Sequence, residues 1–553
     1  MKAERARLFI SRNKDIFIAL LICLITLVTS LILHPVYETI DDEVIEALLF
    51  GYQDWNGTPF LVYVNSLLGM ILYSLVSVFP KVNWYYILQF VVCLVSLFVI
   101  ILTLIRKHKN NGIAAGILIA AAGMETLYIV QYTKTAAFAS LAGTTALIYS
   151  LREPRHRVLK GVCIGLILIG SMLRFEAFEM ELPFLAVVAC CEVIDVLKKR
   201  RGDLKRYILV PGLVLCMAAV LFAGGKIADS TIPGSKDFIE YNYNRTMLTD
   251  YPVSVHDGTD TDVVMIELWM NNDPEVITPE RVEQLKEKYH IEPELFSINS
   301  LKTMFSYYFG FTFSTNPLFL ITVCAVVVFL IFSRKRLYGI LLFGCYFMIE
   351  WYLTSMGRIG LYRVDYGILL GQLTSLVYLS EISMPKLRAD VKNLIRYVLV
   401  PLIAVMGICF YRVSWHIYER QHNADIRKSF KTVTSVEGGR YIVHPLALGV
   451  NMERNLFGPP TDNFKDGFFY TGGWWEGIAI PGTEYTKHTD IEGNPWKACV
   501  DSDSIRLVFF NTTGEICINA VTDYIGQYYG TTAEGILEYK DDNIETYRIV
   551  SVN

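Results

Sequence analysis

Long apolar runs alternate with short polar segments along most of this chain. Twelve runs approach the length of a bilayer span, near residues 15–33, 59–79, 84–105, 112–130, 136–150, 159–173, 182–197, 207–224, 316–333, 337–353, 364–380 and 397–411. About 20 apolar residues in a helix cross a bilayer. Of the 553 residues, 53% are hydrophobic, which agrees with this pattern. The sequence therefore predicts a polytopic α-helical membrane protein and excludes a soluble core as its main architecture.

The distribution of basic residues indicates how the runs are oriented. Lys and Arg cluster in six segments, at residues 2–14, 106–109, 152–160, 198–206, 334–336 and 386–396. If every run crossed, the last five segments would face away from the cytoplasm, against the positive-inside rule. Leaving out the run 59–79 places all six on the cytoplasmic side. We therefore expect about 11 transmembrane helices, a cytoplasmic N-terminus and a helix packed at the outer face over 59–79, with twelve crossings as the alternative.

Four segments then fall on the outer side. They are residues 34–83, the hairpin around 174–181, the loop 225–315 and the tail from 412. The tail alternates turn signals with β-prone runs such as RYIVHPL and SIRLVFF, and one amphipathic helix fits residues 518–530. We predict a transmembrane domain over 1–411 and an extracytoplasmic α/β domain over 412–553. Cys499 and Cys517 either pair there or remain free thiols.

An acidic motif follows the first run directly. Five carboxylates occur within nine residues of the stretch ETIDDEVIE, namely Glu38, Asp41, Asp42, Glu43 and Glu46. A helix starting near Ile40 would place Asp42 and Glu46 on one face beside an apolar side. The same segment is also compatible with a solvated loop or with an amphipathic helix lying on lipid.

Other charged residues at the outer boundary come from distant parts of the chain. They are Lys134, Arg174, Glu176, Glu179, Arg358, Arg363 and Asp365. A carboxylate beside guanidinium groups suits a reaction in which the carboxylate removes a proton while the cations hold a departing phosphate. Two simpler roles compete: arginines at helix ends extend toward the interface, and Arg174 pairs internally with Glu176 or Glu179.

The layout resembles that of the GT-C superfamily of glycosyltransferases. The features that carry the resemblance are the basic N-terminus, one span, the acidic pair Asp41-Asp42 (or Asp42-Glu43), the turn Phe50-Gly51 and the apolar helix before the second span. The loop stretch from Leu248 to Val282 also looks like proteins of Gram-positive bacteria with this layout. The resemblance implies an integral membrane enzyme that passes a sugar from a polyprenyl-phosphate carrier to an acceptor at the outer face.

The resemblance also implies roles for particular residues. Asp42 or Asp41 would be the catalytic base, and Arg358, Arg363 and Arg174 would hold the carrier phosphate. The remaining members of the expected substrate-binding set are Glu43, Glu176 and Lys134. No cofactor is certain, and a divalent metal at the acidic pair stays open.

The expected partners are the lipid-linked sugar donor, a glycan, lipid or protein acceptor and the bilayer of the cell membrane, with no nucleic acid. The alternative functions are a transporter or flippase of lipid-linked oligosaccharide and a non-catalytic assembly protein of the cell envelope.

Overall fold

The computed structural model describes most of the chain. The described residues are 13–51, 57–152, 157–199, 204–250, 260–289, 291, 293–312, 316–381, 400–435, 439–444, 447, 454–460, 468–472, 480–482, 491 and 494–552. The basic segments 2–14 and 386–396 therefore lie almost wholly outside them, as does part of the run 397–411.

Helices account for most of the structure as far as residue 433. In chain order they are α1 (Lys14–Ile32), α2 (Ile40–Phe50), α3 (Ser66–Val78), α4 (Trp84–His108), α5 (Asn110–Gly123), α6 (Glu125–Tyr128), α7 (Tyr132–Ser150), α8 (Arg157–Leu173), α9 (Phe175–Lys199), α10 (Leu204–Ser230), α11 (Ser235–Asp250), α12 (Thr261–Glu267), α13 (Pro279–Lys288), α14 (Ile298–Tyr307), α15 (Pro317–Phe332), α16 (Arg336–Ser355), α17 (Tyr362–Leu379) and α18 (Val400–Val433). A π-helical turn, Tyr308–Thr312, follows α14.

Several of these helices are long and apolar enough to cross a membrane. Within the described residues five meet that description, α1, α4, the stretch Asn111–Tyr128, α10 and α16, and a sixth does so if the bent pair α14 and α15 forms one span. The chain is thus a multi-pass helical membrane protein. The count of eleven spans and the orientation of the bundle stay predictions.

Three of the basic segments meet at one end of the bundle. Glu192 accepts from Lys107, at 2.7 Å, and from Arg152 Nε, at 2.9 Å. Nearby, Lys335 lies 3.0 Å from Asp195. Segments 106–109, 152–160 and 334–336 therefore lie at the same end of the bundle, as both the eleven-span and the twelve-span arrangements require.

After the short helix α3, the chain re-enters the helix bundle at the same end at which it left the bundle after α1. Its 13 residues span about 20 Å at 1.5 Å per residue, less than the roughly 30 Å of a bilayer core. Before the helix, the Asn65 N–H donates to Met172 O, at 2.8 Å. After it, the Asn83 amide donates to the Tyr37 hydroxyl, at 3.3 Å, so α4 starts beside the residues that follow α1. This placement supports a helix that does not cross, while its side of the membrane stays a prediction.

The loop 225–315 and the tail share one hydrophobic core. Buried side chains of α11 to α13, such as Leu248 and Ile266, belong to the same cluster as Leu507 and Val521 of the tail. Polar contacts join the same two segments, because Asp273 accepts from the Tyr524 hydroxyl at 2.9 Å. The loop 225–315 is thus built together with the tail.

The tail contains a mixed five-stranded sheet. Its strands are β3 (Arg440–Val443), β4 (Phe468–Tyr470), β5 (Ile505–Phe510), β6 (Ala533–Lys540) and β7 (Ile544–Ser551), in the order β4-β3-β5-β7-β6. Strands β4, β3 and β5 are parallel, and β5, β7 and β6 are antiparallel. Two helices, α19 (Pro495–Asp501) and α20 (Gly514–Tyr529), accompany the sheet, and Cys499 and Cys517 are buried free thiols. The domain limits and the extracytoplasmic location stay predictions.

Candidate active site

A cavity of about 530 Å³ lies where the helix bundle meets the loop 225–315 and the tail. Residues from far apart in the chain line it, among them Asp41 on α2, Arg174 between α8 and α9, Arg245 on α11, Arg363 on α17 and Phe510 on β5. Polar helix ends, the loop 225–315 and the tail therefore line one space.

A short parallel strand pair positions the acidic motif. Val36 and Tyr37 (β1) pair with Ile129 and Val130 (β2), and the Glu38 N–H donates to Val130 O at 3.0 Å. Helix α2 then begins at Ile40, which places the acidic pair in its first turn. Exposed N–H groups and the helix dipole stabilise negative charge at this end. Helix α2 ends at Gly51, whose φ of 70° suits a residue without Cβ.

The two aspartates of the motif have different surroundings. Asp41 lines the cavity, and its Oδ2 is 3.8 Å from Arg363. Asp42 is fully buried on the other side of the turn. Its Oδ1 accepts from the Tyr85 hydroxyl at 2.9 Å and from the Gln89 amide at 3.3 Å. Burial raises the pKa of Asp42 well above its usual value, although the hydrogen bond from Tyr85 lowers it.

Arg174 is anchored in the cavity wall by aromatic residues. It donates to the Tyr132 hydroxyl at 2.6 Å, and its guanidinium carbon is 4.9 Å from the centre of the Tyr63 ring. The Tyr63 and Tyr132 rings are stacked at 6.3 Å. Of the two carboxylates that the sequence offered as partners, Glu176 lies 3.3 Å from Arg174 Nε and also lines the cavity. Arg174 therefore pairs with Glu176 and lines the cavity at the same time.

Arg358, in the turn between α16 and α17, and Arg363, in the first turn of α17, both line the cavity. Gly357 and Gly360 have φ values of 70° and 78°, which favour glycine. A Cβ at Gly360 would lie 2.6 Å from the Tyr307 hydroxyl, so the turn also needs a residue without a side chain. The tight turn brings both arginines to the wall shared with Asp41.

Lys134 lies below the cavity instead of in its wall. It is fully buried, 2.8 Å from Glu38 and 2.6 Å from Glu125. Arg412 also donates to Glu125, at 2.8 and 2.9 Å. Glu43, also buried, is absent from the lining residues too. The structure thus brings Asp41, Arg174, Glu176, Arg358 and Arg363 to one cavity and places Asp42, Glu43 and Lys134 behind it.

Some lining residues carry no recognisable signal in the sequence. Arg245 and Trp269 belong to the loop 225–315, and Tyr63 lies in the run 59–79 before the first residue of α3. Tyr132 is two residues before Lys134, and in that segment the sequence pointed to Lys134 and not to Tyr132. Each becomes a candidate only through contacts with distant parts of the chain.

A metal ion would require several ligands close together. Within the described residues, no group of three or more His, Cys, Asp or Glu side chains is arranged to hold one. The steps considered below involve the chain's own groups.

The fold and the cavity define a multi-pass helical membrane protein with a mixed acidic and basic cavity at one end of its bundle. No family model matches the chain, and no curated protein matches it. Among solved structures, the chain is similar to the crystal structure of ArnT from Cupriavidus metallidurans bound to undecaprenyl phosphate, at 12% sequence identity and a TM-score of 0.45. The similarity covers 97% of this chain and 98% of that chain.

Proposed function

We propose that this protein is an inverting membrane glycosyltransferase that moves a sugar from a polyprenyl-phosphate carrier to an acceptor hydroxyl at the outer membrane face. The observation that carries the proposal is the single cavity in which Asp41 lies 3.8 Å from Arg363 and shares the wall with Arg174 and Arg358. A carboxylate can accept a proton, and clustered guanidinium groups bind phosphate through paired hydrogen bonds.

The reaction assigns one role to each group. Asp41 accepts the proton of the acceptor hydroxyl, and the acceptor oxygen bonds to the anomeric carbon. The bond from that carbon to the phosphate oxygen breaks, and its electron pair stays on the carrier phosphate. Arg174, Arg358 and Arg363 stabilise the negative charge that develops there. Attack from the face opposite the phosphate inverts the anomeric carbon.

The walls of the cavity also suit a lipid carrier. Met180 on α9 and Leu361 and Val364 beside the arginine turn line it next to the charged groups. Apolar side chains at a bundle's end provide a surface for the first isoprene units, while the phosphate stays at the arginines. The loop 225–315 and Phe510 of the tail also line the cavity, and we place the acceptor beside them.

The test is a transfer assay with purified protein, a panel of polyprenyl-phosphate sugars and candidate acceptors. Asp41→Asn is expected to lower kcat by about 10²- to 10⁴-fold, the range for loss of a general base. Asp42→Asn is the matched control, because Asn keeps the oxygen that accepts from Tyr85 and the residue does not line the cavity. Activity of Asp41→Asn close to that of the unmodified protein would refute the assignment of the base.

The same assay separates transfer from transport. A flippase would move the lipid-linked sugar between leaflets without releasing carrier phosphate. Release of carrier phosphate that requires an acceptor is therefore expected here, and reconstituted vesicles that show translocation without such release would favour the transporter.

A further inference from the structure

Arg245 carries a buried positive charge whose hydrogen-bond partners are neutral. Its side chain on α11 is 6% exposed. One terminal nitrogen donates to Asn242 Oδ1 at 2.9 Å and to Thr246 Oγ1 at 3.3 Å. Its Nε has no hydrogen-bond partner among the described residues. Burying a charge costs free energy unless an opposite charge compensates it. This guanidinium is therefore suited to bind an anion.

This arginine belongs to the wall of the cavity that the outer loop supplies. Thr246 and Thr249 on the same helix also line the cavity. Arg245 and Thr249 are four residues apart, which puts them on one helix face. The donor arginines, by contrast, come from the ends of α8 and from the turn before α17. The cavity therefore has a second cationic wall, formed by a different element.

An aromatic ring stands next to this wall. Trp269 lines the cavity, and 37% of it is exposed. Its φ is 57°, in the left-handed region that a bulky residue rarely adopts. Contacts on both sides hold this conformation: the Met270 N–H donates to Met265 O at 2.8 Å, and His444 Nε2 is 3.0 Å from Leu268 O. Backbone strain of this kind is often retained at ligand sites.

From these contacts we infer that the outer-loop wall is an acceptor subsite and that the acceptor is a saccharide bearing a carboxylate or phosphate. The indole of Trp269 packs against the C–H face of the sugar ring, Arg245 binds its anionic group, and Thr246 and Thr249 hydrogen-bond its hydroxyls. This inference rests on the proposed function, because it assigns the lining residues of the loop 225–315 to the acceptor and leaves Arg174, Arg358 and Arg363 to the donor.

The test measures binding, which does not require turnover. Glucuronate, glucose 6-phosphate and glucose are titrated into the purified protein in detergent, with saturation-transfer NMR as the readout. We expect both anionic sugars to bind more tightly than glucose. Arg245→Met should weaken the anionic probes by about ten- to hundredfold and leave glucose unchanged, since a charge-assisted hydrogen bond is lost. The two anionic probes distinguish the carboxylate from the phosphate as the preferred group.

Two further variants separate the subsite from general effects. Trp269→Leu should weaken all three sugars about tenfold, because the stacking surface serves charged and neutral rings alike. Arg548→Met removes an exposed arginine of β7 outside the cavity lining and should change nothing. If Arg245→Met does not fold, Arg245→Lys retains the charge without the fork and should keep only part of the preference for anionic sugars.

Two outcomes would overturn the inference. One is equal affinity of the unmodified protein for glucose and for the anionic sugars. The other is a loss of polyprenyl phosphate binding in Arg245→Met as large as the loss of saccharide binding, which would assign Arg245 to the donor. The proposed function fails separately, if no donor and acceptor pair yields transfer while anionic sugars still bind at Arg245.

Discussion

Asp41 lies in the cavity wall, whereas Asp42, the next residue of α2, is enclosed by Tyr85 and Gln89. Successive residues of a helix point about 100° apart, so a shift of one position moves a carboxylate from solvent to the interior. Burial raises the pKa of Asp42. Its Oδ1 is occupied by the donors of Tyr85 and Gln89, and the residue is not among those that line the cavity, so we propose Asp41 as the base. The sequence alone does not decide which aspartate is the base, because the residues that surround each carboxylate are about 40 to 320 positions away in the chain.

Substitution of Lys134 tests whether the buried charges next to the cavity stabilise the fold. It is 0% exposed and lies between Glu38 and Glu125, at 2.8 and 2.6 Å. Lys134→Met would leave both carboxylates without this partner in a buried site. We expect the free energy of unfolding in detergent to fall by about 3–5 kcal/mol, as for other broken buried pairs.

The matched control for this loss of charge is an exposed ion pair. Arg548 Nε on β7 is 2.7 Å from Glu538 on the edge strand β6. Arg548→Met should cost less than about 1 kcal/mol, because solvent screens this pair. A Lys134→Met protein as stable as Arg548→Met would contradict a structural role for Lys134 and favour direct contact with substrate.

At the scale of elements, hydropathy was sufficient to locate most helices. The run 84–105 corresponds to α4, Trp84–His108, and the run 159–173 to α8, Arg157–Leu173. In a bilayer every backbone hydrogen bond must be made within the segment, so long apolar runs have little choice but to be helical. Hydropathy located the ends of the helices less well. The run 182–197 belongs to a helix that already begins at Phe175, because only one residue, Arg174, separates this helix from α8.

Elements of the outer segments were harder to predict. The helix expected at 518–530 is α20, Gly514–Tyr529, and RYIV and IRLVFF form β3 and β5. Nothing in the sequence indicated that these elements share a core with α11 to α13, because contacting residues such as Asp273 and Tyr524 are 251 positions apart. The lining residues Arg245 and Trp269 depend on that packing, which explains why neither was anticipated.

The orientation of α3 can be tested by cysteine labelling. Lys81 follows α3 and Lys109 follows α4, and both are exposed. In a background without native cysteines, Lys81→Cys should react with an impermeant maleimide added to intact cells. Lys109→Cys should react only after the membrane is permeabilised, because α4 separates the two positions. Labelling of Lys81→Cys only after permeabilisation would mean that α3 crosses.

At the scale of the whole molecule, a buried contact between Glu46 and Arg454 connects the acidic helix to the C-terminal region. Glu46 on α2 accepts from Arg454, and both side chains are almost fully buried. Asp41 lies five residues before Glu46 on the same helix. The conformation of the proposed base therefore depends on a segment more than 400 residues away in sequence. This link gives the C-terminal region a structural part in the cavity in addition to the contact of Phe510.

The titration of Glu46 offers a test of this link in solution. Burial raises the pKa of Glu46 to about 7 from 4.5, even though the Arg454 guanidinium lowers it. The folded protein therefore binds a proton that the unfolded chain has released between about pH 4.5 and 7. The stability contributed by this proton is complete below pH 4.5 and is lost as the pH rises through 7. The difference amounts to about 3 kcal/mol for a shift of this size.

We therefore expect the unmodified protein to lose about 3 kcal/mol of stability relative to Glu46→Gln between pH 4.5 and 8, since Gln does not titrate. Unfolding in detergent across this range measures the difference. A difference between the unmodified protein and Glu46→Gln that stays constant with pH would mean that Glu46 is ionised throughout, held by Arg454 against the cost of burial. The helix that carries Asp41 would then be attached to the C-terminal region by a permanent ion pair, and its position would not change with pH.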